Sequence, residues 1–144
     1  MKKLLVLCSC MLLLTLTLTG CPNVPQPEDF PQTVELQPKA SKKVTNNLTI
    51  RFNTVIGDSR CPTGTQCPWE GNAEILLELT GGGPETVHLN TGGMFPRTEV
   101  YNGYTITLQD LQPHPAAGVH IDESRYTAVL SVDLEKTEAP ASTE

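Results

Sequence analysis

Apolar residues recur at every second position along this chain, and that spacing excludes most folds. Tyr126, Ala128, Leu130, Val132 and Leu134 share one side of their segment. Ala73, Ile75, Leu77 and Leu79 face one way and Glu74, Glu78 and Thr80 the other, with Leu76 out of step. Leu48, Ile50 and Phe52 oppose Thr49 and Arg51. Val87 and Leu89 oppose Thr86 and His88, and Val34 and Leu36 alternate with polar neighbours. Successive side chains of a strand point to opposite faces, so each segment has one face to bury. From Thr33 onward nothing carries the 3.6-residue period of a long amphipathic helix. The expectation is an all-β domain: an antiparallel β-sandwich of about six or seven strands, with a small β-barrel as the alternative.

Turn chemistry punctuates the strands. Gly81-Gly82-Gly83-Pro84 separates two of them, and Tyr101-Asn102-Gly103-Tyr104 marks a hairpin. A two-residue turn sets Glu99 beside Ile106. A three-residue loop with Gly103 in a bulge sets Val100 opposite Tyr104 and Thr98 opposite Ile106. The second is preferred here because it keeps a carboxylate off the core face.

Between two strand-like runs lies Asp58-Ser59-Arg60-Cys61-Pro62-Thr63-Gly64-Thr65-Gln66-Cys67-Pro68-Trp69-Glu70-Gly71, which holds the single tryptophan. Of the five cysteines, Cys8 and Cys10 fall in an apolar leader and Cys21 ends it. Cys61 and Cys67 remain, and the expectation is a disulfide that fixes the strand connection, with Trp69 covering it. Asp58 and Glu70 are both available to pair with Arg60, and an exposed pair there contributes at most about 1 kcal/mol. Two sharper readings compete. Cys61 and Cys67 are thiolate metal ligands aided by His114 or His120, although the spacing is wide for zinc. Alternatively, loop 60–67 is a protease-inhibitor loop that presents Arg60 to a specificity pocket.

The amino-terminal segment sets the location. Met1-Lys2-Lys3 precedes an apolar run from Leu4 to Leu18, too short to span a bilayer comfortably. It ends in Leu18-Thr19-Gly20-Cys21, which resembles the lipobox of bacterial lipoproteins. That resemblance implies lipid on the Cys21 thiol, cleavage before Cys21, and a protein held at the membrane of the cell envelope by its N-terminal lipid. Pro22 stands where aspartate retains enteric lipoproteins at the inner membrane, which points to the outer membrane where a cell has one. The organisation expected is a signal peptide at 1–20, a Pro-rich tether at 21–32, the β domain at 33–135 and a polar tail at 136–144.

Charge and motifs narrow the function. Setting aside Lys2 and Lys3 leaves 8 basic residues against 16 acidic ones. Such a surface lacks the basic footprint that nucleic acid requires. No Gly-x-Ser-x-Gly elbow surrounds Ser59, and no phosphate loop or His-Glu-x-x-His is present. The chain therefore reads as a non-enzyme with no catalytic residue, no cofactor and no resident metal, acting by binding or structural association with an envelope partner. Segment 112–124 carries His114, His120, Asp122 and Glu123, so a metal-binding envelope protein is the further alternative. Asp58-Ser59-Arg60-Cys61-Pro62 followed by Cys67-x-Trp69-x-Gly71-Asn72-Ala73 resembles a motif of small bacterial secreted proteins and lipoproteins, as do Gly103-Tyr104-x-Ile106-x-Leu108 and Tyr126-x-Ala128-x-Leu130-x-Val132. The resemblance implies a compact β domain in which Trp69 and Gly71 are structural positions. It carries over no active site.

Overall fold

A computed structural model describes residues 29–136. The signal peptide expected at 1–20, Cys21, most of the expected tether and the tail beyond Lys136 lie outside the described residues. Eight strands follow in order: β1 Gln32–Leu36, β2 Ser41–Thr45, β3 Leu48–Asp58, β4 Ala73–Thr80, β5 Glu85–Asn90, β6 Thr98–Tyr101, β7 Tyr104–Gln112 and β8 Thr127–Leu134. A single turn of 3-10 helix, Glu123–Arg125, precedes β8. The strands form two antiparallel sheets, ordered β1-β8-β7-β6 and β2-β3-β4-β5. The fold is a sandwich, not a closed barrel.

The period-2 pattern explains the packing. Ala73, Ile75, Leu77 and Leu79 of β4 are fully buried, as are Ala128, Leu130 and Val132 of β8. They meet Leu48, Ile50 and Phe52 of β3 and Ile106, Leu108 and Leu111 of β7 in one core. Burying each of the larger side chains among them contributes roughly 1.5–3 kcal/mol.

Eight strands stand where six or seven were expected. The extra one is β2, Ser-Lys-Lys-Val-Thr, an edge strand burying only Val44 and Thr45. Lysines on an edge discourage pairing with other chains, and they also erase the alternation that would reveal the strand. The hairpin register also differs from the expectation. Tyr101 pairs with Tyr104 and Glu99 with Ile106. Asn102 (φ 49°) and Gly103 (φ 80°) form the two-residue turn, whose positive φ at both positions suits Asn-Gly. Glu99 is tolerated on this face because β6 is an edge, where it is only half-buried.

The sandwich has two distinct poles. At one lie the β2–β3, β4–β5 and β6–β7 turns. There Asn102 Nδ2 donates to Asn47 O (2.9 Å), and the Tyr101 hydroxyl takes a hydrogen bond from Gly82 N and gives one to Gly83 O. The described chain enters and leaves at this same pole: Phe30 packs on Tyr104 with ring centroids 5.8 Å apart, and Glu135 N bonds Gly103 O. The long β3–β4, β5–β6 and β7–β8 loops gather at the other pole. The eight residues of β4 set the poles roughly 26 Å apart at about 3.3 Å per residue.

Candidate functional site

The far pole is assembled by β3. Its register shifts twice, between Phe52 and Thr54 and between Val55 and Gly57. Bulges bend a strand and re-aim its side chains. β3 thus delivers Asp58 and Arg60 onto β7 and β8 of the opposite sheet. Arg60 makes a two-pronged pair with Asp58, Nε to Oδ1 at 2.8 Å and Nη2 to Oδ2 at 2.6 Å. Nη1 donates to the carbonyl of Leu111 and Nη2 also to that of Pro113, while the Tyr126 hydroxyl donates to Asp58 Oδ2 (3.1 Å). The two charged side chains are only 5% and 8% exposed. This corrects the expectation of a surface pair. Arg60 is not displayed to a protease, and the inhibitor reading of loop 60–67 loses the side chain that motivated it.

The cluster shifts two ionisations. Burial pushes the Asp58 carboxyl up, but the hydrogen bonds and charge of Arg60 and the bond from Tyr126 hold it below its ordinary value. Burial, then the Asp58 hydrogen bond and charge, raise the Tyr126 phenol. Both shifts favour carboxylate beside neutral phenol. Together they hold the cluster in that one charge arrangement.

The disulfide forms between Cys61 and Cys67, which removes these sulfurs as thiolate ligands. The loop it closes docks on segment 113–117: Thr63 N bonds Pro115 O, Ala117 N bonds Thr63 O, and His114 Nε2 lies 2.9 Å from Cys61 O. Trp69 does not cover the bridge. Its side chain is 73% exposed, and Cys67 is itself exposed. The loop's inner side instead meets segment 113–117 through Thr63 and the Cys61 carbonyl.

Gly71 is indispensable to the loop's return. Its φ is +76°, and a Cβ there would lie 1.9 Å from Ser59 O. Only glycine allows the outgoing and returning chains to approach so closely. Among the described residues no three His, Cys, Asp or Glu side chains converge as metal ligands, so His114, His120, Asp122 and Glu123 do not assemble a donor set. Instead Asp122 caps the short helix through Ser124, and Glu123 accepts from Thr54 Oγ1. Ser59 Oγ is spent on Asn72 O at 2.9 Å, not on a histidine. His88 sits on the outer face, 2.6 Å from Glu74 Oε1.

Beside this lock lies an open cleft of about 450 Å³, lined by Ser59, Trp69, Glu70, Asn72, Met94 and Phe95 over a floor of glycines. Met94 is 91% exposed and Phe95 49%. The walls are tied together by Asn72, whose Nδ2 donates to Asn90 Oδ1 (2.8 Å) and whose Oδ1 accepts from Gly92 N (2.9 Å). Asn90 in turn bonds Pro96 O through Nδ2. A second cavity of about 220 Å³ adjoins it, sharing Glu70 and Gly71 and adding Arg97, Gln109 and His114. Sequence reasoning found Trp69 and Gly71 but missed Asn72, Met94, Phe95 and Arg97. The available signal was Met94-Phe95 between Gly93 and Pro96, large apolar residues in a turn that no core claims. Comparison of the chain with protein-family models, with characterised proteins and with solved structures returned no match.

Proposed function

We propose that this chain is a lipid-anchored protein of the cell envelope whose sandwich acts by binding, without chemistry, through its far pole. The leader and Leu18-Thr19-Gly20-Cys21 support the anchor. Two or more acyl chains on one residue make anchoring effectively stable, at about 0.8 kcal/mol for each buried CH₂. The observation that carries the reading is the opposition of the poles. Phe30, near the end of the tether, packs at the turn pole, and Trp69, Met94 and Phe95 lie exposed at the other. An anchor on Cys21 therefore turns the cleft away from the membrane. Large exposed apolar side chains gathered in one place mark an interaction site on a protein surface.

The test is in cells. A photo-crosslinker replacing Met94 is expected to trap an envelope component, whereas one replacing Asn102 at the turn pole traps only lipid or nothing. Labelled palmitate is expected on the wild type and not on Cys21→Ser. Adducts confined to position 102 would reverse the orientation, and an unlabelled wild type would remove the anchor.

A further inference from the structure

The two adjoining cavities differ in chemistry, and the difference selects a ligand. In the larger one the Ser59 hydroxyl and the Asn72 amide are already spent. Ser59 Oγ bonds Asn72 O, and both ends of the Asn72 amide bond Asn90 and Gly92. What remains for a ligand is the indole of Trp69, the thioether of Met94 and the ring of Phe95, with the Glu70 carboxylate at the boundary with the smaller cavity. A hydroxyl-rich sugar would find only the Glu70 carboxylate and the Trp69 N–H as free side-chain partners among the lining residues. An apolar side chain would leave nothing unpaired.

The smaller cavity is the converse. Arg97 Nη2 donates to Leu108 O and Gln109 O, both at 3.1 Å. Its Nε is buried without an acceptor among the described residues. Its Nη1, which is not buried in this way, also makes no hydrogen bond among them and is the donor left for a ligand. Glu70, shared by both cavities, accepts only a long 3.4 Å bond from Gly93 N through its side chain. The two ion pairs of the described residues, Arg60 with Asp58 and His88 with Glu74, include neither Arg97 nor Glu70. Arg97 and Glu70 thus present a donor and an acceptor of opposite charge beside an apolar slot, while the neighbouring Asp110 carboxylate already accepts from Leu111 N and Gln112 Nε2. A neutral chain that alternates carbonyl acceptors and N–H donors, with a side chain between them, complements all three.

We infer that the paired cavities bind an extended peptide segment of a partner protein, placing one large apolar side chain among Trp69, Met94 and Phe95 and its backbone against Glu70 and Arg97. Main-chain hydrogen bonds with a pocket for a single side chain are a recurrent mode of peptide recognition. This deepens the binding reading but is independent of the lipid.

The experiment uses the purified protein, held in lipid nanodiscs where it carries lipid. Trp69, the single tryptophan, is its own reporter. The probes are capped hexapeptides of Gly and Ser holding one central Leu, one central Phe or neither, and tetra-N-acetylglucosamine as a glycan. The expected result is a saturable blue shift of Trp69 emission with the Leu or Phe peptide and none with the Gly/Ser peptide. Phe95→Asp, on an exposed loop, should weaken it at least tenfold. Arg97→Gln should weaken it severalfold while the circular dichroism stays native. No saturable shift, an equal shift with the Gly/Ser peptide, or saturation by the glycan alone would overturn the inference. The fraction from which the protein is purified decides the anchor separately, so either idea can fail alone.

Discussion

Replacing Arg60 by methionine should cost far more than losing a surface ion pair. The substitution keeps side-chain length but removes donors to Asp58, Leu111 and Pro113. Asp58, whose side chain is 8% exposed, would keep only the Tyr126 hydroxyl and the Arg60 backbone N–H. Leaving one partner of a buried pair uncompensated costs about 3–5 kcal/mol, against about 0–1 kcal/mol for an exposed pair. A domain of this size is stable by about 5–15 kcal/mol, so the loss is a large share of the whole. With a urea m-value near 2 kcal/mol/M, the midpoint should fall by roughly 2 M. Far-UV circular dichroism is the proper probe, because Trp69 is already 73% exposed and reports little on unfolding. Adding Asp58→Asn to Arg60→Met should lose less than the sum of the single variants by at least about 1 kcal/mol, since the stranded charge is gone. A loss below about 1 kcal/mol for Arg60→Met, with additive singles, would refute the buried lock.

Gly71→Ala should destabilise the domain by at least about 2 kcal/mol, because positive φ strain adds to the collision with Ser59 O; the urea midpoint measures it. Cleaving the Cys61–Cys67 bridge should cost roughly 2–3 kcal/mol by loop closure and proceed under mild reductant without unfolding, since Cys67 is exposed; mass before and after reduction, with dichroism, checks both. Stability should form a plateau in pH. The depressed Asp58 contributes stability that is present above its unfolded pKa of about 4 and lost as pH falls through the lower folded value. The raised Tyr126 contributes stability that is present below about 10 and lost as pH rises through its higher folded value. In Asp58→Asn the acid limb should be shallower and the alkaline limb weaker when urea midpoints are compared across pH.

The strands that build the core were legible because their burial is periodic. β4 and β8 alternate without interruption among their buried positions, and a two-faced sheet leaves no other reading. β2 was not legible, because its lysines serve the edge and leave only Val44 and Thr45 inside. The hairpin was misread by ranking one carboxylate above turn chemistry. Asn102-Gly103 sets the turn, and an edge position makes Glu99 harmless. At the far pole, local reasoning recognised the bridge and the possible partners of Arg60. It missed their burial, because the covering carbonyls of Leu111 and Pro113 lie more than fifty residues away and reach Arg60 only after β3 bends. Trp69 differs from the expectation for a similar reason: the stapled loop docks on segment 113–117, roughly fifty residues away in sequence, and leaves the indole outside. The cleft was invisible because its walls come from two loops joined by Asn72 and Asn90, a pairing that no spacing reveals.

The intact mass and amino-terminal sequence of the protein isolated from growing cells test the anchored reading most directly. The account predicts a chain that begins at Cys21 and carries the added mass of a diacylglyceryl group, with or without a further acyl chain. A chain that begins elsewhere, or an unmodified Cys21, would contradict it.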